Sequence, residues 1–449
     1  MSTTQRKLRE DFEDLARTRR DPEECSEDKP WWKRLGPGLL TGAADDDPSG
    51  VGTYSATGAQ FGYLLLWLVP FCIPLMVAVQ EMCARQALVT GSGLASVIKE
   101  HYPKWLLYSC TGLLFVANAF NVYADLQVMA SSLQMLTGIG TGLALILLVG
   151  VLVLTQIFVP YRAYARALKW LCISLAGYVV VAFIPGVRND WGAIARAAFI
   201  PSLNLTPVVM LGLVAVLGTT ISPYLFFWQA GETVEEQVAD RAADEPGRRL
   251  EPVRESHIRN IRADTATGMI VSQLVAAFIM IAAAGTLHAT GQTHIDTAQD
   301  AAKALLPLGR AAYWIFSLCI LGTGLLAIPT LAGSAAYAAA ETFGWRYGLY
   351  RRFARARGFY LTAAAVIIFG GAFNFVHILS PIAALVYSAA LNGIIAPPLI
   401  VVLILICNNR RIMGKRTNGP WSNTFSGLTV ILMGAAAVYL VWAKASGRG

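Results

Sequence analysis

Residues 36–52 read Gly36-Pro37-Gly38-Leu39-Leu40-Thr41-Gly42-Ala43-Ala44-Asp45-Asp46-Asp47-Pro48-Ser49-Gly50-Val51-Gly52, and far down the chain comes Gly218-Thr219-Thr220-Ile221-Ser222-Pro223-Tyr224. Each stretch interrupts an apolar segment with a proline flanked by small or polar residues. Proline removes a backbone donor and clashes with the preceding turn, so carbonyls are freed at the depth where it falls. Inside a bilayer, non-helical backbone survives only where protein or a water-filled cavity satisfies it. A matched pair of interrupted helices in two halves of a chain points to a substrate site between inverted repeats.

The surroundings of the two breaks place them in a membrane. The chain has 449 residues, 55% apolar and 14% charged, with a mean hydropathy of +0.51, whereas a soluble domain carries about 25% charged residues. The apolar residues form blocks, among them Tyr63–Val79, Leu143–Val159, Val208–Ile221, Thr267–Leu287 and Leu399–Cys407. A helix crossing the bilayer needs roughly 20 such residues. The blocks predict an all-α polytopic membrane protein with about eleven transmembrane helices. They lie near Gly38–Gln60, Tyr63–Gln86, Tyr108–Leu136, Leu143–Val159, Leu168–Ile184, Val208–Gln229, Thr265–His288, Arg310–Ala338, Phe359–Val376, Ile382–Cys407 and Thr424–Val441. The broken segments are the first and the sixth, each opening a set of five. One transporter domain is expected over 36–443, after a polar cytoplasmic tail at 1–35 and before a short tail at 444–449.

The net charge of +8 raises the question of nucleic acid. With the N-terminus inside, alternating spans leave only six of the 36 Lys and Arg outside: Arg188, Arg196, Lys303, Arg310, Lys444 and Arg448. Basic loops stay cytoplasmic, so orientation accounts for the charge and no nucleic-acid partner is expected. The cysteines are scattered singly, with no C-x-x-C pair, so neither a disulfide framework nor a zinc site is indicated. The polar, mixed-charge N-terminus does not read as a cleavable signal peptide, and none is expected.

Carboxylates inside the membrane are costly, at least about 2.5–3.5 kcal/mol each at the centre, and three adjacent ones repel each other. Helical steps of 100° would aim Asp45, Asp46 and Asp47 in three directions, so unequal burial is expected. Asp47 sits at the break beside freed carbonyls, an oxygen-rich anionic place suited to a cation. Asp45 and Asp46 either share that pathway or bond to neighbouring helices. On the third span, Asn118, Asn121 and Asp125 form one helical stripe, placed either to face the same cavity or to bond between helices. Asn392 on the tenth span carries the same two readings. His288 and His377 near span ends read as interfacial packing, and Glu232, Glu235 and Glu236 as a solvated helix end.

At these residues the chain resembles the Nramp family of divalent-metal transporters, which have the leucine-transporter-type 5+5 inverted-repeat fold with broken first and sixth helices. The family's first helix runs G-P-G, eight residues, then D-P-G-N; here Gly36-Pro37-Gly38 is followed by eight residues and Asp47-Pro48-Ser49-Gly50. Gln80, Arg85, Thr90-Gly91, Leu94-Ala95 and Pro103 also match family positions, as do Pro398-Leu399 through Met413-Gly414. The resemblance implies a metal site at Asp47, Gly50, Thr219 and Ser222, with the metal as cargo and no cofactor. It also implies departures. Gly50 stands for the family's Asn ligand, Ser222 for its Met, Tyr224 for the His after the proline, and Asp125 for a third-helix Glu implicated in proton coupling. This pattern is similar to the divergent branch whose magnesium transporters lack the Asn and Met ligands.

The implied function is divalent-cation transport into the cytoplasm across the plasma membrane, of Mg²⁺ and/or Mn²⁺, with Fe²⁺ also in range. Loss of the thioether removes the soft donor that favours transition metals, and smaller side chains suit an ion that keeps several waters. Asp45, Asp46, Asn121, Asp125, Tyr224 and Asn392 are the candidates for the ion's pathway. A sodium-coupled amino-acid symporter on the same fold is the alternative, but three aspartates would repel a substrate carboxylate. An intramembrane hydrolase is a remote one: no H-E-x-x-H, G-x-S-x-G or G-x-G-D occurs, and two aspartates alone carry little weight. No enzyme activity is expected.

Overall fold

The computed structural model describes residues 41–42, 44–159, 173–185, 187, 189–202, 206–243, 255–309, 311–376 and 379–446. The N-terminal tail at 1–35, Gly36-Pro37-Gly38, Arg188, Arg310, His377 and the last three residues lie outside the described residues, as do the side chains of 239–243 and Lys444.

Among the described residues all regular structure is helical. Among those residues nine helices are long and apolar enough to cross a membrane. They hold the second, third, fourth and sixth to eleventh places in chain order: Leu68–Thr90, Lys104–Thr137, Thr141–Phe158, Pro207–Val238, Glu255–Thr290, Ala311–Phe343, Arg357–Val376, Pro381–Asn408 and Pro420–Ala443. The expected first and fifth spans are represented among the described residues by shorter pieces, the helix Pro48–Phe61 after the break and the apolar Ile173–Phe183. Several boundaries differ from the sequence reading. Residues 62–67 form turns, so the second helix starts at Leu68 rather than Tyr63. The sixth helix runs on to Ala243, well past the span end expected at Gln229, and the seventh begins at Glu255, ahead of the expected Thr265.

Packing pairs repeat across the two halves. The first helix packs on the seventh and the second on the far half of the sixth; the third packs on the fourth and on the eighth, and the eighth on the ninth. Exchanging each helix for the one five places on maps this set onto itself, the pattern of an internal repeat. The tenth helix lies against the first, third and near half of the sixth, so it borders both breaks. Close contact there needs glycine: a Cβ on Gly218 would lie 2.0 Å from the Ala389 carbonyl oxygen and 2.3 Å from the Gly393 nitrogen.

Ionic and polar locks gather at the helix ends. Arg85 is 2% exposed and donates from Nε to Glu81 Oε1 at 2.9 Å, while its Nη atoms reach the Arg416 carbonyl and Asn418 Oδ1 at 2.5 Å. Arg262 donates to the same Glu81 oxygen at 2.9 Å, binding the seventh helix to the second. The expectation of a solvated end at Glu232 and Glu235 is corrected. Glu232 is buried, and Glu235 accepts from Tyr337 Oη at 2.6 Å and from the Leu349 amide, because the sixth helix continues into the body of the protein. His288 packs at a span end as read, with its Nδ1 2.9 Å from the Ala59 carbonyl oxygen.

Candidate functional site

The first break is built by Asp47 and Pro48. Thr41, Gly42, Ala44 and Asp45 are helical, Asp46 and Asp47 are not, and a new helix starts at Pro48. Proline fits the first position of a helix, where an amide hydrogen has no intrahelical partner. Asp47 is extended, with φ −75° and ψ 171°, and its Oδ1 accepts from the Gly50 amide at 2.6 Å as an N-cap. The same carboxylate therefore sits in the interruption and starts the helix that follows it. Gly50 contributes an N–H and no side chain. A Cβ there would meet Asp47 Oδ1 and Tyr54 at 3.4 Å, ordinary contact.

The expectation of unequal burial does not hold: Asp45, Asp46 and Asp47 are 1%, 6% and 2% exposed. The 100° rule applies only within a helix, and the helix ends between Asp45 and Asp46. Both of these turn to one seventh-helix hydroxyl, with Ser272 Oγ 2.7 Å from Asp45 Oδ2 and 3.2 Å from Asp46 Oδ1. Of the two readings for this pair, bonding to a neighbouring helix is the one seen.

The sixth-helix break is finished from its own chain. Pro207–Thr220 stops, Ile221 and Ser222 are non-helical, and Pro223 starts the second half. Ser222 Oγ donates to the Gly218 carbonyl at 2.8 Å and to the Thr219 carbonyl at 2.9 Å. Tyr224 Oη reaches across to the Ala44 carbonyl at 3.0 Å, with the Asp47 carboxylate also within its reach. Thr220 Oγ1 and Tyr54 Oη are 3.0 Å apart. The two breaks are thus stitched face to face, and each freed carbonyl named here has found a hydroxyl.

The third-helix stripe divides rather than facing one cavity. Asn118 donates to the Leu331 carbonyl and Ser334 Oγ, both at 2.8 Å, on the eighth helix. Asn121 Oδ1 accepts from Asn392 Nδ2 of the tenth helix at 3.2 Å. Only Asp125 faces the first break, where it stands near the Asp47 carboxylate and the Ser49 amide without completing a hydrogen bond. The division follows from helix neighbours, since the third helix packs on the eighth, the tenth and the first at once.

Three contributors were missed. Ser49 Oγ lies 3.3 Å from Ser388 Oγ on the tenth helix, and Ser272 holds the Asp45–Asp46 pair. Ser388 precedes Asn392 by one turn, so the tenth helix carries a small polar face whose spacing was open to view in the sequence. Ser272 gives no such signal. Among the described residues no group of three or more His, Cys, Asp or Glu side chains is placed to hold an ion. The donors available at the breaks are the Asp47 carboxylate, backbone carbonyls and hydroxyls, all hard oxygen.

Comparison with known proteins agrees with this architecture. A family model described as "Natural resistance-associated macrophage protein-like" (Nramp) matches residues 38–443. The divalent metal cation transporter MntH of Pectobacterium carotovorum is 26% identical over 92% of this chain and 95% of its own length. The crystal structure of the Eremococcus coleocola manganese transporter superposes with a TM-score of 0.71 at 18% identity, covering 94% of this chain and 88% of that one. A nucleobase-cation-symport-1 family transporter, Mhp1, shares the fold at a TM-score of 0.54 and 13% identity, over 92% and 93% of the two chains. A match over nearly the whole chain, with both helix breaks in place, makes this polytopic protein of leucine-transporter-type fold a member of the Nramp family.

Proposed function

We propose that this chain carries divalent metal cations, Mg²⁺ and/or Mn²⁺ with Fe²⁺ also admitted, into the cytoplasm across the plasma membrane by alternating access, with its N-terminus cytoplasmic. The observation that carries this reading is Asp47, a buried carboxylate at the meeting of two helix breaks where every neighbouring donor is hard oxygen. In this reading Asp47 is the anionic ligand, the Thr219 carbonyl a second, and Ser222 a hydroxyl where relatives place a thioether. A carbonyl has two lone pairs, so accepting from Ser222 leaves Thr219 able to bind a cation. Gly50 enlarges the site and leaves room for water on the ion. The MntH and manganese-transporter names of relatives support metal transport at the level of the family.

Proton coupling is weak or absent in this proposal. An unperturbed His titrates around 6.5 and Tyr around 10, and Tyr224 already donates its hydroxyl to the Ala44 carbonyl. The membrane potential contributes about 2.3 kcal/mol per charge per 100 mV, and twice that for a divalent ion, which is enough to drive uptake.

The test is uptake into proteoliposomes at a set voltage, across Mg²⁺, Mn²⁺, Fe²⁺ and amino acids, with an internal pH indicator. Voltage-dependent Mg²⁺ or Mn²⁺ entry without acidification is expected. Amino-acid uptake alone would refute the metal reading; acidification that tracks metal entry and vanishes in Asp125→Asn would refute only the coupling.

A further inference from the structure

Between the third and tenth helices, beside the first break, three hydrogen-bond acceptors have no partner in the protein: Asp125 Oδ1, Asp125 Oδ2 and Asn392 Oδ1. Asp125 is 0% exposed and Asn392 1%. The two are held in one wall by Asn121, which lies one turn before Asp125 on the same helix face and accepts from Asn392 Nδ2. Asn121 Nδ2 is left as an unpartnered donor. Reversing both amides moves the free acceptor to Asn121 and the free donor to Asn392, so the Asn121–Asn392 pair offers one acceptor to that wall in either orientation.

Each buried acceptor left unmade costs about 1–3 kcal/mol, more when charged, so a fold that keeps three together keeps them for something that donates. The neighbouring hydroxyls are already engaged, because Ser388 Oγ donates to the Leu385 carbonyl at 3.0 Å and pairs with Ser49. Water on a divalent cation is the fitting donor. Coordination to the metal polarises its O–H bonds and turns its hydrogens outward, so the ion's hydration shell favours a wall of acceptors. A site with one carboxylate ligand and no amide or thioether leaves much of that shell in place, and Mg²⁺ sheds water reluctantly.

We propose that Asp125 and Asn392 form an outer-sphere subsite, accepting hydrogen bonds from water that stays on the transported ion while Asp47 binds the ion itself. The inference rests on the proposed ion site at Asp47. It assigns Asp125 and Asn392 to selectivity: they favour ions that hold their water, and do little for ions that lose it easily. Asn121 is a positioning residue that fixes Asn392.

The experiment has two readouts on the full-length protein. The first is Mg²⁺ competition against Mn²⁺ uptake in wild type, Asp125→Asn and Asn392→Ala. Asp125→Asn replaces one of two acceptor atoms with a donor, so Mg²⁺ should compete about tenfold less well, the worth of a lost charge-assisted hydrogen bond, while Mn²⁺ uptake changes far less. The second is electron spin-echo modulation of bound Mn²⁺ in D₂O, which counts water on the metal without needing transport. Wild type should keep about three or more waters, as expected of an ion with few protein ligands. Bound Mn²⁺ without exchangeable water, or equal loss of Mg²⁺ and Mn²⁺ in Asp125→Asn, overturns the subsite. Should Asp125→Asn or Asn392→Ala fail to insert, the wild-type water count still decides. Failure of the underlying site reads differently: Mn²⁺ binding and uptake would then be unchanged in Asp47→Asn.

Discussion

The two helix breaks hold equivalent places in the two halves and are finished in opposite ways. At the first, the interruption is lined by Asp45, Asp46 and Asp47; Asp47 caps the outgoing helix through one oxygen, and Asp45 retains an unpartnered Oδ1. At the sixth, Ser222 closes onto two carbonyls of the preceding turn, and the near half of the helix presses backbone against backbone on the tenth. The first break keeps charge and free oxygen; the second is sealed and tightly packed. Proline alone creates the opening in both, and the side chains beside it decide whether the opening stays chemically available.

The largest expected effect breaks the packed side. Gly218→Ala puts a Cβ against the Ala389 carbonyl and Gly393 nitrogen, neither of which can yield without separating two helices. Overpacking should cost about 1–3 kcal/mol and lower the melting temperature in detergent. The counterpart at the first break, Gly50→Ala, meets only ordinary contacts and should shift stability by no more than about 1 kcal/mol. Equal melting shifts would erase the contrast.

Next comes charge. Asn caps helices about as well as Asp, so Asp47→Asn should fold and insert. It should nonetheless lose at least about tenfold in Mg²⁺ or Mn²⁺ uptake, because even one charge-assisted contact is worth more than about 1.4 kcal/mol. Uptake at the wild-type rate would remove Asp47 from the site.

A third substitution tries to open the sealed side. Ser222→Met removes the hydroxyl from the Gly218 and Thr219 carbonyls and supplies a thioether; Gly50→Asn adds an amide beside Asp47. Together they should move preference from Mg²⁺ toward Mn²⁺, Fe²⁺ and Cd²⁺, read by competition, since soft sulfur favours softer ions. Strong Cd²⁺ preference in the wild type would contradict the hard-oxygen account.

The smallest effect concerns the stitch between the breaks. Tyr224→Phe frees the Ala44 carbonyl and should cost about 1 kcal/mol, the net worth of one hydrogen bond, with a melting shift well below that of Gly218→Ala. A shift as large as that of Gly218→Ala would make the Tyr224 bond a main support of the first helix.

The features that the sequence determined by itself obey local rules. Apolar length set the spans, Pro48 and Pro223 set the breaks, and Asp47 before Pro48 set a carboxylate at a helix start, because each depends only on neighbours along the chain. Tertiary structure decided who meets whom. Asp45 and Asp46 share Ser272 because the seventh helix crosses there, and the third-helix stripe splits three ways because three helices contact it. Glu235 is drawn inward by Tyr337, although by sequence it reads as part of a solvated helix end. Ser388 joined the site only because the tenth helix touches both breaks. A hydrogen bond in a membrane interior is satisfied by whichever helix lies alongside, and that neighbour is set by packing across the whole bundle rather than by spacing along one segment.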